Sequence, residues 1–176
     1  MTGRSKKSKR IIGRAQVLRI AVFIFLLAGV AAGISVLTSH DAAMSSVQGG
    51  IAVVTSHLIN LFGAHTHVTG NVINSSGTFA LSVVTACTGL FATGVFIVAV
   101  LAFPAGFLAK LIGVLFGVGA IFLINLVRLG SLFYIGVHFP DLFDVMHLLI
   151  WQSLIIVLAL FLWLLWAKVV AHAHQR

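Results

Sequence analysis

The sequence predicts an all-α integral membrane protein with four transmembrane helices and both termini in the cytoplasm (N-in, C-in). Of its 176 residues, 60% are hydrophobic and only 8% are charged, whereas soluble globular proteins carry roughly 25% charged residues. A soluble domain of this size could not bury so much apolar surface, which excludes the soluble enzyme classes. The single cysteine, Cys87, excludes an internal disulfide, a Cys-x-x-Cys redox pair and any multi-cysteine metal site.

Four apolar stretches are long enough to cross a hydrocarbon core, which requires about 20 helical residues. They cover residues 20–37, 90–108, 111–129 and 148–167. The first stretch also has features of a cleavable signal peptide, because it follows a basic region and contains small residues. Its apolar run is longer than the roughly 7–15 residues usual in such peptides, and Gly29-x-x-x-Gly33 suits a helix-packing face. We therefore expect a retained anchor.

The distribution of charge predicts the orientation of these helices. Seven of the eleven lysines and arginines lie in a basic tail, residues 1–19, ahead of the first stretch. If that tail is cytoplasmic, Lys110 and a second tail, residues 168–176, also face the cytoplasm, which agrees with the bias of Lys and Arg that sets orientation. All three acidic residues then face outward: Asp41, Asp141 and Asp144. The net charge of +8 thus reports topology, and no nucleic-acid partner is expected.

Residues 38–86, between the first two stretches, are predicted to lie outside the membrane on its extracytoplasmic side. Apolar positions recur at helical spacing from Val47 to Phe62, which predicts an amphipathic helix along the membrane surface. Turn signals at Gly70-Asn71 and in residues 74–77 separate short runs rich in β-branched residues, which predicts a small β-hairpin.

The remaining stretches, residues 87–167, are predicted to form a three-helix membrane core that carries the candidate site. Cys87 begins the second span, Arg128 ends the third and His147 begins the fourth, so the predicted topology brings all three to the outer interface. Ionisable residues in or near a span are costly, and they are functional candidates by default. Arg128 is the only basic residue predicted outside. Asn125 shares its helix face at i, i+3, so we expect the amide to brace the guanidinium.

These residue types have complementary roles in acyl transfer through a thioester. A cysteine becomes a nucleophile when a nearby cation or base generates the thiolate, and we expect Cys87 to be partly desolvated yet reachable. His147 can exchange that proton near neutral pH. Arg128 stays charged and suits stabilisation of a tetrahedral oxyanion. Asp144, three residues before His147, is within reach to orient the imidazole in a Cys–His–acid arrangement.

In their order and spacing, these motifs resemble the exosortase/archaeosortase family, and most closely its small exosortase H type. The matching residues are Ala86-Cys87-Thr88-Gly89, Ala102-Phe103-Pro104, Asn125-Leu126-Val127-Arg128, Phe143-Asp144-x-x-His147 and Trp151-Gln152. The resemblance covers roughly residues 63–166, and the family's cysteine, arginine and histidine fall on Cys87, Arg128 and His147. Many members of that family have more spans than the four that this chain can accommodate.

The resemblance implies a membrane-embedded cysteine transpeptidase or peptidase that cleaves the C-terminal sorting signal of exported proteins at the outer face of the membrane. Such a signal consists of a short motif, a transmembrane helix and a basic cluster, so the substrate shares the lipid bilayer with the enzyme. The implied location is the prokaryotic cytoplasmic (inner) membrane, with the active site facing the periplasm or outside. The sequence does not decide whether water or a cell-surface amine, glycan or lipid accepts the acyl group, and no cofactor is expected.

Other interpretations remain open at the level of the sequence. His138 is the reserve candidate for the histidine of the site. His65-x-His67 has strand spacing that puts both rings on one face, so zinc is conceivable with Cys87 as third ligand, although such sites ordinarily need three or four well-placed ligands. The protein could instead be a non-catalytic membrane scaffold or assembly subunit with an inert cysteine. A small-solute transporter subunit has less support, because no charged residue lies in mid-membrane.

Overall fold

The structure is a computed structural model that describes residues 14–75, 77 and 79–173. Five α-helices make up most of it: α1 (Arg14–Ser39), α2 (Asp41–Asn60), α3 (Leu90–Ala102), α4 (Phe107–His138) and α5 (Gln152–Ala173). Three strands lie between α2 and α3: β1 (His67–Thr69), β2 (Val72–Asn74) and β3 (Ala80–Ser82). The shorter helical elements are 3₁₀ turns at Thr85–Cys87 and Pro140–Leu142 and a π-helical segment at Val145–Trp151. Residues 1–13 of the predicted basic tail and residues 174–176 of the second tail lie outside the described residues.

Four helical segments are long and apolar enough to cross a membrane, as a multi-pass helical membrane protein requires. They are Gln16–Ser39, Asp41–Leu61, Phe107–His138 and Pro140–His172. Their number agrees with the prediction, but the set differs. The segment that contains α2 belongs to it, whereas α3, at the position of the predicted second span, is a shorter apolar helix.

The predicted span over residues 90–108 is wrong in its extent, because α3 ends at Ala102 after 13 residues. At 1.5 Å per residue, α3 is about 20 Å long, which is less than the hydrocarbon thickness of about 30 Å. The cause is Pro104. A residue that precedes proline is driven out of the helical region, and Phe103 is accordingly extended, with φ −71° and ψ 138°.

The predicted span over residues 111–129 is too short, because α4 has 32 residues and continues to His138. Its length is about 48 Å, which exceeds the thickness of a hydrocarbon core by several turns. Asn125 and Arg128 therefore lie within the helix, about three turns before its end, and do not close it as predicted.

The α/β cap, which we define as α2, the three strands, residues 83–87 and residues 129–138 of α4, is a compact unit with its own core. The strands form one antiparallel sheet in the order β1-β2-β3, so the predicted hairpin is present and is extended by a third strand. Gly70, at φ +62°, occupies the first central position of the tight turn between β1 and β2, where glycine avoids strain. The buried core of the cap contains Ile51, Ala52, Ile59, Ile73, Leu81, Val83, Cys87, Leu129 and Phe133.

The apolar bundle, which we define as α1, α3, residues 107–128 of α4, and α5, packs differently, through glycines that receive large side chains. A methyl group at Gly117 would overlap the ring of Phe96, and one at Gly113 would overlap the indole of Trp166. The spacing Gly113-x-x-x-Gly117 predicts the close approach of a neighbouring helix, and these contacts confirm it. The same expectation for Gly29-x-x-x-Gly33 is wrong within the described residues, because nothing lies within 4 Å of a Cβ built at either glycine.

Candidate active site

Cys87 lies at the junction of the cap and the bundle, in the 3₁₀ turn directly before α3. Its thiol sulfur is 3.1 Å from Nε2 of His147, 60 residues further along the chain. The side chain is 1% exposed and belongs to the core of the cap. The expectation of a partly desolvated thiol is confirmed, but the expectation of a reachable thiol is wrong, because the site is closed in this structure.

His147 reaches the thiol from the π-helical segment Val145–Trp151, which leads into α5. A π-helix bonds i to i+5 and occurs frequently at functional sites. The wider turn aligns residues five apart, which puts His147 and Gln152 on the same side. The imidazole also packs against the ring of Phe143, with ring centroids 5.7 Å apart, and Phe143 itself packs against the core of the cap. The position of the imidazole is therefore set by the cap as well as by its own helix.

Arg128 is 1% exposed and holds the backbone that carries the cysteine. Its Nη1 donates a hydrogen bond to the carbonyl oxygen of Ala86 at 3.3 Å, and its Nη2 donates a long one to Oε1 of Gln152 at 3.5 Å. Its Nε is buried without a hydrogen-bond partner. Neither acceptor is a carboxylate, so the guanidinium is a buried positive charge beside the thiol with unused donor capacity.

Asn125 has a different role from the predicted one. It was expected to brace the guanidinium of Arg128, but its Nδ2 instead donates a 2.7 Å hydrogen bond to the carbonyl oxygen of Cys87. The side chain is 1% exposed, and its Oδ1 is buried without a partner. Asn125 and Arg128 thus hold two successive carbonyl groups, those of Cys87 and Ala86, from one face of α4.

Gly89, which follows Cys87 in Ala86-Cys87-Thr88-Gly89, is a structural requirement of the site. Its φ of +75° lies in the left-handed region that favours glycine. A Cβ at this position would also approach the Cγ atom of Asn125 to 3.4 Å. The glycine lets the chain turn from the cysteine into α3 while the amide of Asn125 stays close to the backbone.

Asp144 is not brought into this group of side chains. It is exposed and immediately precedes the π-helical segment. No hydrogen bond or ion pair joins it to His147 in the part of the chain that the structure describes. Asp144 therefore acts on the imidazole through its charge and not through a hydrogen bond.

The cap holds the loop that precedes Cys87 through a short polar network that the sequence did not reveal. Gln48 of α2 donates a hydrogen bond from Nε2 to Oγ1 of Thr85 at 3.3 Å. Asn71 of the hairpin turn donates from Nδ2 to Oε1 of Gln48 at 3.4 Å and to the carbonyl oxygen of Val83 at 3.1 Å. The segment 38–86 thus fixes the position of Cys87 through hydrogen bonds to the residues just before it.

Burial raises the pKa of the Cys87 thiol above its ordinary value, because an apolar environment disfavours the thiolate. The positive charge of Arg128 and a backbone hydrogen bond at Val84 act in the opposite direction but do not outweigh burial. The thiol is therefore protonated at neutral pH, and formation of the thiolate needs a base within hydrogen-bonding distance, a position that His147 occupies.

A cavity of about 530 Å³ opens beside this group, between α3 and α5. One end of it is formed by Ala86, Gly89, Arg128 and Gln152, and the rest of its wall is apolar. Such a volume is typical of ligand pockets, which span about 300–1,000 Å³.

The alternative histidines lie elsewhere. His138 donates a hydrogen bond from Nδ1 to the carbonyl oxygen of Tyr134 and stacks on that ring, at the exposed end of α4. Within residues 14–75, 77 and 79–173, no group of three or more His, Cys, Asp or Glu side chains is placed to hold a metal ion, so His65, His67 and Cys87 do not form the zinc site considered above.

Comparison of this chain with models of protein families, with curated proteins and with solved structures finds no match.

Proposed function

We propose that this protein is a membrane-embedded cysteine transpeptidase or peptidase that cleaves the C-terminal sorting signal of exported proteins at the outer face of the membrane. The observation that carries the proposal is the contact of 3.1 Å between the Cys87 thiol and Nε2 of His147. The buried Arg128 guanidinium, hydrogen-bonded to the peptide group just before the cysteine, lies beside them. A nucleophile, a base and a cation from three distant parts of the chain suit acyl transfer.

The proposed reaction begins with a neutral thiol, because burial raises the pKa of Cys87. The sulfur attacks the scissile carbonyl carbon while the thiol proton passes to Nε2 of His147. The resulting oxyanion is stabilised by the guanidinium of Arg128. When the C–N bond breaks, His147 returns the proton to the leaving amine, and a thioester to Cys87 remains. Water can then attack the thioester and release a carboxylic acid. Alternatively, an acceptor amine attacks the thioester and forms a new amide, and a cell-surface glycan or lipid can supply that amine.

Substrate entry requires the closed site to open, because the thiol is 1% exposed. His147, which contacts the thiol, belongs to Val145–Trp151, where the helix bonds i to i+5. Separation of this segment from the cap would expose the sulfur, and its return would bring His147 back to the thiol.

The proposed topology places α1, α3, the first 22 residues of α4, and α5 in the prokaryotic cytoplasmic membrane and the cap outside it. Of the four segments of spanning length, Asp41–Leu61 has the lowest mean hydropathy, 1.2, and the largest buried share, 33%. That segment contains α2, which packs on the sheet and on α4, as a helix of an extramembrane unit does. The basic N-terminal tail supports a cytoplasmic N-terminus, and the even number of crossings returns the C-terminus to the same side.

The test is the processing of an exported protein of the source organism that ends in a short motif, an apolar helix and a basic cluster. Immunoblotting separates the precursor from the product in cells that carry the wild type, Cys87→Ala, Arg128→Ala or His147→Ala. We expect the precursor to accumulate in all three variants.

His138→Ala is the matched control, because His138 is bonded to Tyr134 and does not contact the thiol. We expect normal processing in this variant. Normal processing in Cys87→Ala would end the proposal, and normal processing in His147→Ala with loss in His138→Ala would move the base to His138.

One observation favours a second function, that of a non-catalytic membrane scaffold or assembly subunit. Cys87 is a small, fully buried member of an apolar core, as inert cysteines usually are. A scaffold would lose nothing essential in Cys87→Ser, which keeps the size of the side chain. Wild-type growth, assembly and processing phenotypes in Cys87→Ser would favour the scaffold, and a defect in a stably folded Cys87→Ser protein would favour the enzyme.

A further inference from the structure

The cavity beside the site is a groove that opens sideways towards lipid. It follows α3 from Gly89 to Ala99 and α5 from Gln152 to Trp163, which is about 15 Å along each helix. Exposed apolar side chains form its rims: Phe91 and Val95 on α3, and Ile156 and Leu160 on α5. An occupant can therefore enter from within the bilayer without crossing water.

Small side chains along the groove allow another backbone to come close. Ala92 and Ala99 of α3 and Ala159 of α5 line it, together with Gly89 at its outer end. Small residues at such spacing permit the close approach of helices in membranes, where packing replaces the hydrophobic effect.

The polar end of the groove is continuous with the candidate catalytic group. Ala86 lines it, and the carbonyl oxygen of that residue accepts the hydrogen bond from Arg128. Gln152, also in the lining, accepts a hydrogen bond from the same guanidinium. Arg128 is nine-tenths buried or more and has a donor without a partner, so this end can bind a peptide backbone that has left its helix.

We infer that the α3–α5 groove is the intramembrane docking site for the substrate's own transmembrane helix, with the scissile bond at the polar end beside Cys87. The inference rests on the proposed function. A peptide bond at the thiol is covalently joined to the helix that follows it, so that helix must descend from the level of Arg128 into the bilayer. In the part of the chain that the structure describes, the groove is an apolar path from that level, and it is about ten helical residues long. A free lipid chain is not joined to the scissile peptide bond, so nothing requires it to begin at the thiol.

Photocrosslinking tests the position of the substrate helix in the full-length protein in membranes. A photoreactive amino acid is placed at Ile156 or Leu160, which line the groove, or at Val157 or Leu164, which are exposed on α5 outside it. The background is Cys87→Ala, which retains uncleaved precursor. We expect the precursor to be captured from positions 156 and 160 and not from 157 or 164. Equal capture from all four positions, no capture, or capture of lipid alone from 156 and 160 would overturn the inference.

A size exchange provides a second measurement that does not depend on capture. Ala99→Leu narrows the groove, and we expect processing of the wild-type substrate to slow by about tenfold or more. A set of substrate variants carries alanine in place of one large residue of the transmembrane helix in each variant. At least one of these substrates should restore the processing rate of Ala99→Leu. Val157→Leu, at an exposed position of α5 outside the groove, is the control and should retain the wild-type rate.

Three outcomes separate this inference from the proposed function. If Cys87→Ala processes the precursor normally, both are overturned. If Cys87→Ala blocks processing while Ala99→Leu does not slow it and capture fails at 156 and 160, the enzyme stands and the groove does not. If Ala99→Leu reduces protein abundance, the capture pattern alone decides.

Discussion

The cap and the apolar bundle both contain helices apolar enough to cross a membrane, but they are stabilised in different surroundings. In the cap, β-branched and aromatic side chains from α2, the sheet and α4 close a core in which Ile73 is 0% exposed. In the bundle, the buried cluster contains only Phe96, Val100 and Ile121 among the described residues, and most large side chains face outward. The cap is therefore held by its interior, whereas the bundle depends on lipid and on glycine-mediated helix contacts.

The candidate site uses this difference. Cys87 is a member of the cap core, so the proposed nucleophile is fixed by the more tightly packed region. Arg128 extends from α4 and His147 from the π-helical segment that leads into α5, and the apolar groove begins beside Arg128. A rigid thiol near such a groove suits the substrate that we propose, which is itself part membrane helix.

The largest effect on stability should come from opening the core of the cap. Ile73→Ala removes a fully buried side chain and should lower the free energy of unfolding by about 3 kcal/mol. Leu164→Ala, in a side chain that is 51% exposed on α5, should change it by less than about 0.5 kcal/mol, because lipid fills the space. Thermal or denaturant unfolding in lipid nanodiscs measures both. Equal losses would mean that the cap has no separate core.

The next effect should come from the contact that joins the bundle to the cysteine backbone. Asn125→Ala leaves the buried carbonyl oxygen of Cys87 without its donor, which should cost about 2 kcal/mol of unfolding free energy and reduce processing. Ser131→Ala is a control on the same helix, because that hydroxyl bonds only within α4. A free energy of unfolding in Asn125→Ala equal to that of the wild type would show that the contact between α4 and the cysteine backbone does not depend on this hydrogen bond.

Gly89→Ala should have a smaller effect, concentrated at the turn into α3. A side chain at φ +75° costs about 1 kcal/mol, and the contact with Asn125 adds crowding. The melting temperature and the processing rate should both fall. Gly50→Ala, within α2 and with open space around its Cβ, should keep the melting temperature or raise it slightly. A melting temperature in Gly89→Ala that equals that of Gly50→Ala would contradict this reading of the turn.

The smallest effect is a shift in the reactivity of the thiol with pH. Iodoacetamide reacts with the thiolate, so alkylation of Cys87 should accelerate as pH rises, with a midpoint above the usual value of about 8.5 because burial raises the pKa. Arg128→Gln removes the charge that lowers this pKa, so its midpoint should lie higher still. Mass spectrometry of the labelled protein follows the rate. A midpoint below that of a free cysteine would mean that charge outweighs burial.

Parts of this structure could be predicted because they follow from the chain's own chemistry. The basic tail, the apolar runs and the three acidic residues predicted a multi-pass helical protein, and the same topology predicted that Cys87, Arg128 and His147 share one depth. The turn residues Gly70-Asn71 predicted the hairpin. The end of α3 could also have been predicted, because Pro104 restricts the residue before it. The prediction nevertheless extended the span to residue 108, because the run remains apolar beyond Pro104.

Other parts depend on contacts between distant segments. Hydropathy alone could not show where α4 leaves the bundle and begins to pack into the core of the cap, because both parts of this continuous helix are apolar. No local sequence pattern predicts the hydrogen bond from Asn125 to the Cys87 carbonyl oxygen. The same holds for the polar network of Gln48, Asn71 and Thr85 and for the burial of the thiol.

By itself, the sequence predicted a multi-pass helical membrane protein and the meeting of Cys87, Arg128 and His147, because lipid selects apolar helices and membranes orient positive charge. Only the tertiary structure decided which groups touch the thiol, that the thiol is closed off, and that a groove leads away from it. Hydrogen bonds and packing act over a few ångströms between residues that are dozens of positions apart in the chain.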